Sequence, residues 1–173
     1  MRDLTPLFSP REISTIIDGL ARDIREDYSG KNPVLIGLLK GAYVFIADLT
    51  RAIGMDLEVE FIQPSSYRKG TESREVVELV HSLKADVMGR HVLIIDAIVD
   101  RGATLRKVAK EVSALGPASI KVCSLLVRDG VEHGVRVDYI GRPLTAGFVV
   151  GYGMDLDGKY RQLKGLYTLN VEN

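Results

Sequence analysis

The feature that most limits the fold is one stretch in the middle of the chain, His91-Val92-Leu93-Ile94-Ile95-Asp96-Ala97-Ile98-Val99-Asp100-Arg101-Gly102-Ala103-Thr104-Leu105. It opens as a continuous apolar run, the pattern of a strand buried on both faces. A short acidic turn containing glycine follows, between Asp96 and Thr104. Beyond it, Leu105, Val108, Ala109, Val112 and Leu115 recur at helical spacing. Buried strand, tight loop and helix, in that order, present backbone N–H groups at the positive end of a helix, which is how many proteins hold phosphate.

The rest of the chain repeats this alternation. Ser9-Pro10-Arg11-Glu12 combines an N-cap, a proline at the first helical position and a capping-box glutamate. Ile13, Ile16, Ile17, Leu20, Ala21 and Ile24 follow on one face, which predicts a helix from Pro10 to about Glu26. Val34 to Leu39 reads as a buried strand, and Lys40-Gly41 turns into an apolar helix through Phe45, Leu49 and Ile53. Leu57, Val59 and Phe61 alternate with polar residues, as in a half-exposed strand. From Gln63 to Glu75 the chain becomes polar, a long loop of the kind that often carries function. Val76 to Val80 resumes a strand. Gly116-Pro117 stops the central helix, and Ile120 to Val127 forms a further strand ending at Arg128-Asp129-Gly130. Short strands are expected at Asp138–Ile140, Phe148–Val150 and Leu166–Leu169.

Strands alternating with helices predict an α/β fold, a mostly parallel sheet flanked by helices. In such sheets ligands bind at the carboxyl ends of the strands, where Lys40-Gly41, the Asp96–Thr104 loop and Arg128-Asp129 all emerge. There is no repeat, low-complexity tract or linker, so residues 1–173 are expected to form one domain.

Composition narrows the partners. With 23 acidic and 23 basic residues the chain is formally neutral, which gives little support to a nucleic-acid-binding role. The only cysteine, Cys123, lies in an apolar run, so it reads as a buried small hydrophobe in a reducing compartment. The N-terminus lacks a signal peptide's apolar core, and no apolar run approaches the ~20 residues of a membrane span. A cytoplasmic protein with no membrane partner is expected. His81, His91 and His133 show no spacing that suggests a metal site or triad and read as structural. No G-x-G-x-x-G follows a strand, and no G-x-x-x-x-G-K-[ST] is present.

Asp96-Ala97-Ile98-Val99-Asp100-Arg101-Gly102-Ala103-Thr104 instead resembles the phosphoribosyl-diphosphate motif of type I phosphoribosyltransferases, in which two acids, two aliphatics, Asp, a small residue, Gly, any residue and Thr follow a buried strand. Leu39-Lys40-Gly41 is similar to that family's pyrophosphate loop, and Ser65-Ser66-Tyr67 to the start of its lid. Phe148-Val149-Val150-Gly151-Tyr152-Gly153-Met154-Asp155, continued by Lys159-Tyr160-Arg161-Gln162-Leu163, closely resembles the purine-pocket segment of hypoxanthine-guanine phosphoribosyltransferases. The resemblance covers nearly the whole chain in the right order. It implies that family's fold, with a small hood built from the terminal segments.

The activity implied is purine salvage, in which ribose 5-phosphate passes from phosphoribosyl diphosphate to hypoxanthine or guanine and pyrophosphate leaves. By the resemblance, Gly102, Ala103 and Thr104 bind the 5′-phosphate beside Arg101. Ser66 and Tyr67 close a lid that excludes water, and Lys40, Gly41 and Arg161 hold pyrophosphate. Magnesium neutralises the leaving group, with Asp155 and Asp96 as its candidate carboxylates. Asp100 acts as general base or acid at the purine N7. Phe148 stacks on the base, Val149 offers backbone groups to its edge, and Arg128 takes the place of the lysine that reads the 6-oxo group. A homodimer or homotetramer is the family expectation.

Several positions depart from the family pattern. Ala97 replaces the second acid, which holds ribose hydroxyls; losing such a bond costs roughly 1.5–3 kcal/mol, or about ten- to a hundredfold in binding or rate. Asp96 replaces the usual Glu, Arg101 replaces a small residue inside the phosphate loop, and Ser73-Arg74 replaces a Ser-Gly pair. These departures leave a second reading beside the enzyme, a paralogue of this fold that binds nucleotide or phosphoribosyl diphosphate as a regulator with little turnover.

Overall fold

The apolar runs become strands because each can bury both faces only inside a sheet covered by helices. In the computed structural model, which describes residues 4–64 and 83–169, β2 (Val34–Leu38) is buried at every position. It pairs in parallel with β3 (Glu58–Ile62) on one side and β4 (His91–Val99) on the other. Beyond β4 lie β5 (Ser119–Arg128) and β6 (Tyr139–Leu144), also parallel. The sheet order is β3-β2-β4-β5-β6. The chain builds outward from β2 to β3, then reverses and builds the other way from β4. At such a reversal neighbouring loops diverge and leave a crevice at the carboxyl edge.

Helix α1 (Pro10–Tyr28) starts as its sequence dictates. The Ser9 hydroxyl accepts the Glu12 N–H, and the Glu12 carboxylate accepts the Ser9 N–H at 2.8 Å. Its buried stripe, with Tyr28 added, packs beside α2 (Tyr43–Ile53) on one face of the sheet. Helix α3 (Ala103–Ala114) covers the other face through Leu105, Val108 and Val112. The sheet thus separates two apolar clusters, and Cys123 is fully buried in the first of them, as expected.

A second sheet caps the carboxyl edge. Here β1 (Leu4–Phe8) pairs antiparallel with β8 (Leu166–Leu169), which pairs antiparallel with β7 (Phe148–Val150). This is the hood from the terminal segments. The sequence gives no local signal for β1, because its order comes from a partner at the other end of the chain. Two boundaries also differ from expectation. Strand β4 continues to Val99, because Asp96, Ile98 and Val99 find partners in Ser124, Leu126 and Val127 of β5. The turn therefore shrinks to Asp100–Gly102. Strand β6 runs on to Leu144 through Pro143, which is tolerated because β6 is an edge strand among the described residues. The strand expected at Val76–Val80 and most of the polar loop lie outside the described residues.

Asp27 at the end of α1 ties that helix to the sheet. Its carboxylate accepts from Lys121 of β5 and Tyr139 of β6, both at 2.5 Å. Those two bonds hold the Asp27 carboxyl below the usual carboxylate range. A carboxyl lowered in the folded state contributes stability above its unfolded pKa and loses it as the pH falls through its folded value. Because Asp27 and Lys121 are both more than a third exposed, the contribution stays below about 1 kcal/mol. Asp27→Asn should therefore lower the melting temperature slightly at pH 7, and the difference from wild type should shrink as the pH falls through the carboxylate range, as followed by circular dichroism.

Candidate active site

Strand β4 carries the chain to the sheet edge and releases it at Asp100. Three residues later α3 begins, with Gly102 as N-cap at φ +68°. Glycine is required here twice over. That backbone conformation disfavours a side chain, and a Cβ would lie 2.5 Å from the carbonyl oxygen of His133. The turn and the first turn of α3 line a cavity of about 240 Å³ together with Asp96, Ile98 and Val99 of β4. Helix N-termini leave their first N–H groups without intrahelical acceptors, so Ala103 and Thr104 bring free donors to this cavity. The structure thus gathers Asp96, Asp100, Arg101, Gly102, Ala103 and Thr104 in one place.

Asp96 points from β4 into this cavity and accepts the Ala97 N–H at 2.8 Å. Burial pushes its carboxyl up to about 7, against the pull of the Ala97 and Ile98 N–H groups, which favour the charged form. Ala97 is 1% exposed and belongs to the apolar cluster beneath α1 and α2. At this one of the positions that depart from the motif, a methyl group is packed into the core.

Arg128, the last residue of β5, reaches across to Asp100. Its Nε donates to the carboxylate at 2.8 Å while a terminal nitrogen donates to the Gly147 carbonyl at 3.1 Å. Gly147 precedes Phe148, the first residue of β7, whose large ring is 41% exposed. Val149 is buried behind it. One guanidinium thus joins the end of β4, the end of β5 and the start of the hood, beside an exposed aromatic residue.

The hood contributes a second acid–base pair. After β7 the chain makes an irregular hairpin in which Arg161 donates to the Asp155 carboxylate at 2.6 Å and to the Gly153 carbonyl at 2.7 Å. The Gly158 N–H holds the other Asp155 oxygen at 2.8 Å. The Tyr152 hydroxyl donates to Asp48 of α2, fastening the hairpin to the body. Gly153 sits against the turn after β2, where the Leu39–Lys40 peptide is cis and Lys40 is exposed. Lys40, Gly41, Asp155 and Arg161 therefore belong to one neighbourhood. Among the described residues no cluster of three or more His, Cys, Asp or Glu side chains is arranged to hold a metal. Ser66, Tyr67, Ser73 and Arg74 lie outside the described residues. A larger groove of about 560 Å³, bounded by α1, α2 and the hairpin, holds none of the expected ligand residues but Arg161.

A parallel sheet with a phosphate-type loop at its reversal, roofed by a hood that carries a carboxylate and an exposed aromatic, defines a class. Residues 7–156 match the phosphoribosyl transferase domain family, and the chain belongs to it. The nearer relatives are more specific. The chain is 38% identical over 171 residues to a hypoxanthine-guanine phosphoribosyltransferase of Mycobacterium tuberculosis, covering 95% of this chain and 85% of that protein. It is 41% identical over 155 residues to a hypoxanthine phosphoribosyltransferase of Escherichia coli, covering 88% and 87%. A hypoxanthine-guanine phosphoribosyltransferase structure from Bacillus anthracis superposes with a TM-score of 0.85 at 31% identity, covering 97% of this chain and 99% of that one. Within its class the chain is a member of the hypoxanthine-guanine phosphoribosyltransferase family.

Sequence reasoning missed four contributors to this geometry. Tyr152 and Asp48 meet only because the hairpin folds back on α2. His133 approaches the Asp100–Gly102 turn from a connection with no regular structure, and Arg106 reaches back from the first turn of α3. None carries a local signal beyond polar character.

The meeting of hairpin and turn depends on Gly153. Its φ is +95°, and a Cβ there would lie 2.8 Å from the Gly41 carbonyl oxygen. Gly153→Ala should lower unfolding stability by about 2–3 kcal/mol, measured by urea denaturation, through backbone strain and this clash.

Proposed function

We propose that the protein transfers ribose 5-phosphate from phosphoribosyl diphosphate to hypoxanthine, with or without guanine, and releases pyrophosphate. The observation that carries this reading is the Arg128 guanidinium, which links the Asp100 carboxylate to Gly147 beside the open face of Phe148. A flat base seated on Phe148 would place its polar edge near both Arg128 and Asp100. The guanidinium supplies donors to a 6-oxo group, whereas a 6-amino group would face it donor against donor.

In this reading the 5′-phosphate sits on the amides of Gly102, Ala103 and Thr104, with the side chains of Thr104 and Arg101 adding donors. Asp100 holds or takes the proton at the purine N7 as the glycosidic bond forms. Lys40 and Arg161 flank the pyrophosphate. Asp155 is a hard oxygen donor fixed by the Arg161 guanidinium and the Gly158 N–H, which suits magnesium, an ion usually bound by one or two carboxylates plus substrate phosphates. Asp155, with Asp96 as the second candidate, would hold that ion, which supplies charge neutralisation at the departing pyrophosphate. Ser66 and Tyr67 would close over the site and keep water from the activated sugar. A cytoplasmic homodimer or homotetramer built from one domain per chain completes the proposal.

A binding paralogue with little turnover is the second reading, and one observation favours it. Ala97 places a methyl group in the core where an acid would otherwise serve the ribose. Turnover decides between the two. Purified protein with magnesium, phosphoribosyl diphosphate and each of hypoxanthine, guanine, xanthine and adenine should form nucleotide with a 6-oxopurine and not with adenine. Ligand binding without product from any base would establish the regulator instead. Asp100→Asn should lower kcat by about 10²–10⁴ while the Kd for phosphoribosyl diphosphate stays within about threefold. Full activity in that variant would remove Asp100 from proton transfer.

A further inference from the structure

The Asp100–Gly102 turn is gripped from behind by the connection between β5 and β6. His133 Nδ1 lies 2.8 Å from the Asp100 carbonyl oxygen. A carbonyl only accepts, so the ring must donate there, which fixes Nδ1 as the protonated nitrogen. Arg106 Nη1 donates to the Arg101 carbonyl at 3.0 Å and also to the carbonyl of His133. That same His133 carbonyl is the atom that leaves no room for a Cβ at Gly102. On its other side Gly134, at φ +59°, lies against the Arg106 guanidinium, where a Cβ would be 3.0 Å away. Two consecutive loop carbonyls are therefore drawn to one side by two side chains, with backbone packed on backbone between them.

This arrangement has a directional consequence. The two peptides involved are trans, since the Leu39–Lys40 bond is the cis peptide among the described residues. In a trans peptide the C=O and N–H point in opposite directions. Pulling the carbonyls of Asp100 and Arg101 toward the brace turns the N–H groups of Arg101 and Gly102 away from His133 and Arg106, neither of which lines the cavity that Arg101 and Gly102 line. Consecutive amides held so make an anion-binding nest, and donors fixed before the ligand arrives cost no reorganisation when it binds.

We propose that His133 and Arg106 are positioning residues that preorganise the amides of Arg101 and Gly102 for the 5′-phosphate. Neither side chain lines the cavity. The role assigned to them rests on the 5′-phosphate reading of this loop. It also explains why the β5–β6 connection, irregular and partly exposed, lies so close against the phosphate loop.

The test is isothermal titration calorimetry of the full chain with magnesium and either phosphoribosyl diphosphate or pyrophosphate. His133→Ala and Arg106→Ala should each weaken phosphoribosyl diphosphate about tenfold, the worth of a hydrogen bond, and leave pyrophosphate within about twofold. His133→Asn, which retains a donor at the position of Nδ1, should restore affinity to within about threefold of wild type. His133→Gln, which moves the donor outward, should not, and this Asn/Gln pair decides the matter if truncation to Ala prevents folding. Variants that bind phosphoribosyl diphosphate as wild type does, that lose pyrophosphate equally, or that show no difference between Asn and Gln would overturn the brace. Wild-type protein that binds pyrophosphate but not phosphoribosyl diphosphate would remove the 5′-phosphate reading, and the brace with it.

Discussion

The structure depends on the parallel pairing of β4 with β5. It runs from His91 opposite Ser119 to Val99 opposite Val127, well past the end of the purely apolar run. That extension delivers Asp100 and Arg128 side by side at the sheet edge, because each is the residue at or just beyond the end of its own strand. Register alone therefore sets the distance between the proposed proton-handling acid and the proposed base-reading cation. A slip of one residue would turn Asp96 from the cavity into the core. The buried pairs on both faces of the sheet make such a slip costly.

The two acid–base pairs of the site follow a common pattern. Arg128 is held on Asp100 and Gly147, and Arg161 on Asp155 and Gly153, so each guanidinium spans a carboxylate and a backbone carbonyl. In each case the carbonyl belongs to the hood segment. Arginine's planar fork can satisfy two acceptors from different elements at once, which a lysine ammonium does with less geometric definition. Arg128 thus fastens the hood to the body, whereas Arg161 ties the hood's own hairpin together. Tyr152 on Asp48 adds an anchor outside that chemistry.

The departures from the family pattern gain a physical context. Ala97 is a core residue that completes the packing beneath α1 and α2. Arg101 lies in the turn between β4 and α3, where its carbonyl is bound by Arg106. Asp96, raised by burial to about 7, keeps one carboxyl facing the cavity at the neighbouring position. The loop carries one acid fewer than the family pattern, and its shape rests on Gly102 and the backbone bonds behind it.

Much of this was legible in the residue order. Hydrophobic period gave the strands and helices, since burial on two faces or one imposes a repeat that no other structure satisfies. The capping box set the start of α1, and the glycines marked the turns. The local motifs placed Asp100, Gly102, Thr104 and Arg128 at or just after the ends of parallel strands, where one sheet edge gathers them, and Phe148 and Asp155 on the segment that forms the hood. Tertiary structure alone decided the rest. Strand β1 exists because β8 pairs with it, and β4 extends to Val99 because β5 offers partners there. Asp48 meets Tyr152, and His133 meets Asp100, across 104 and 33 residues of chain. Such contacts leave no periodic trace, because a polar side chain on an irregular segment has the same local character whether it faces solvent or grips a distant carbonyl.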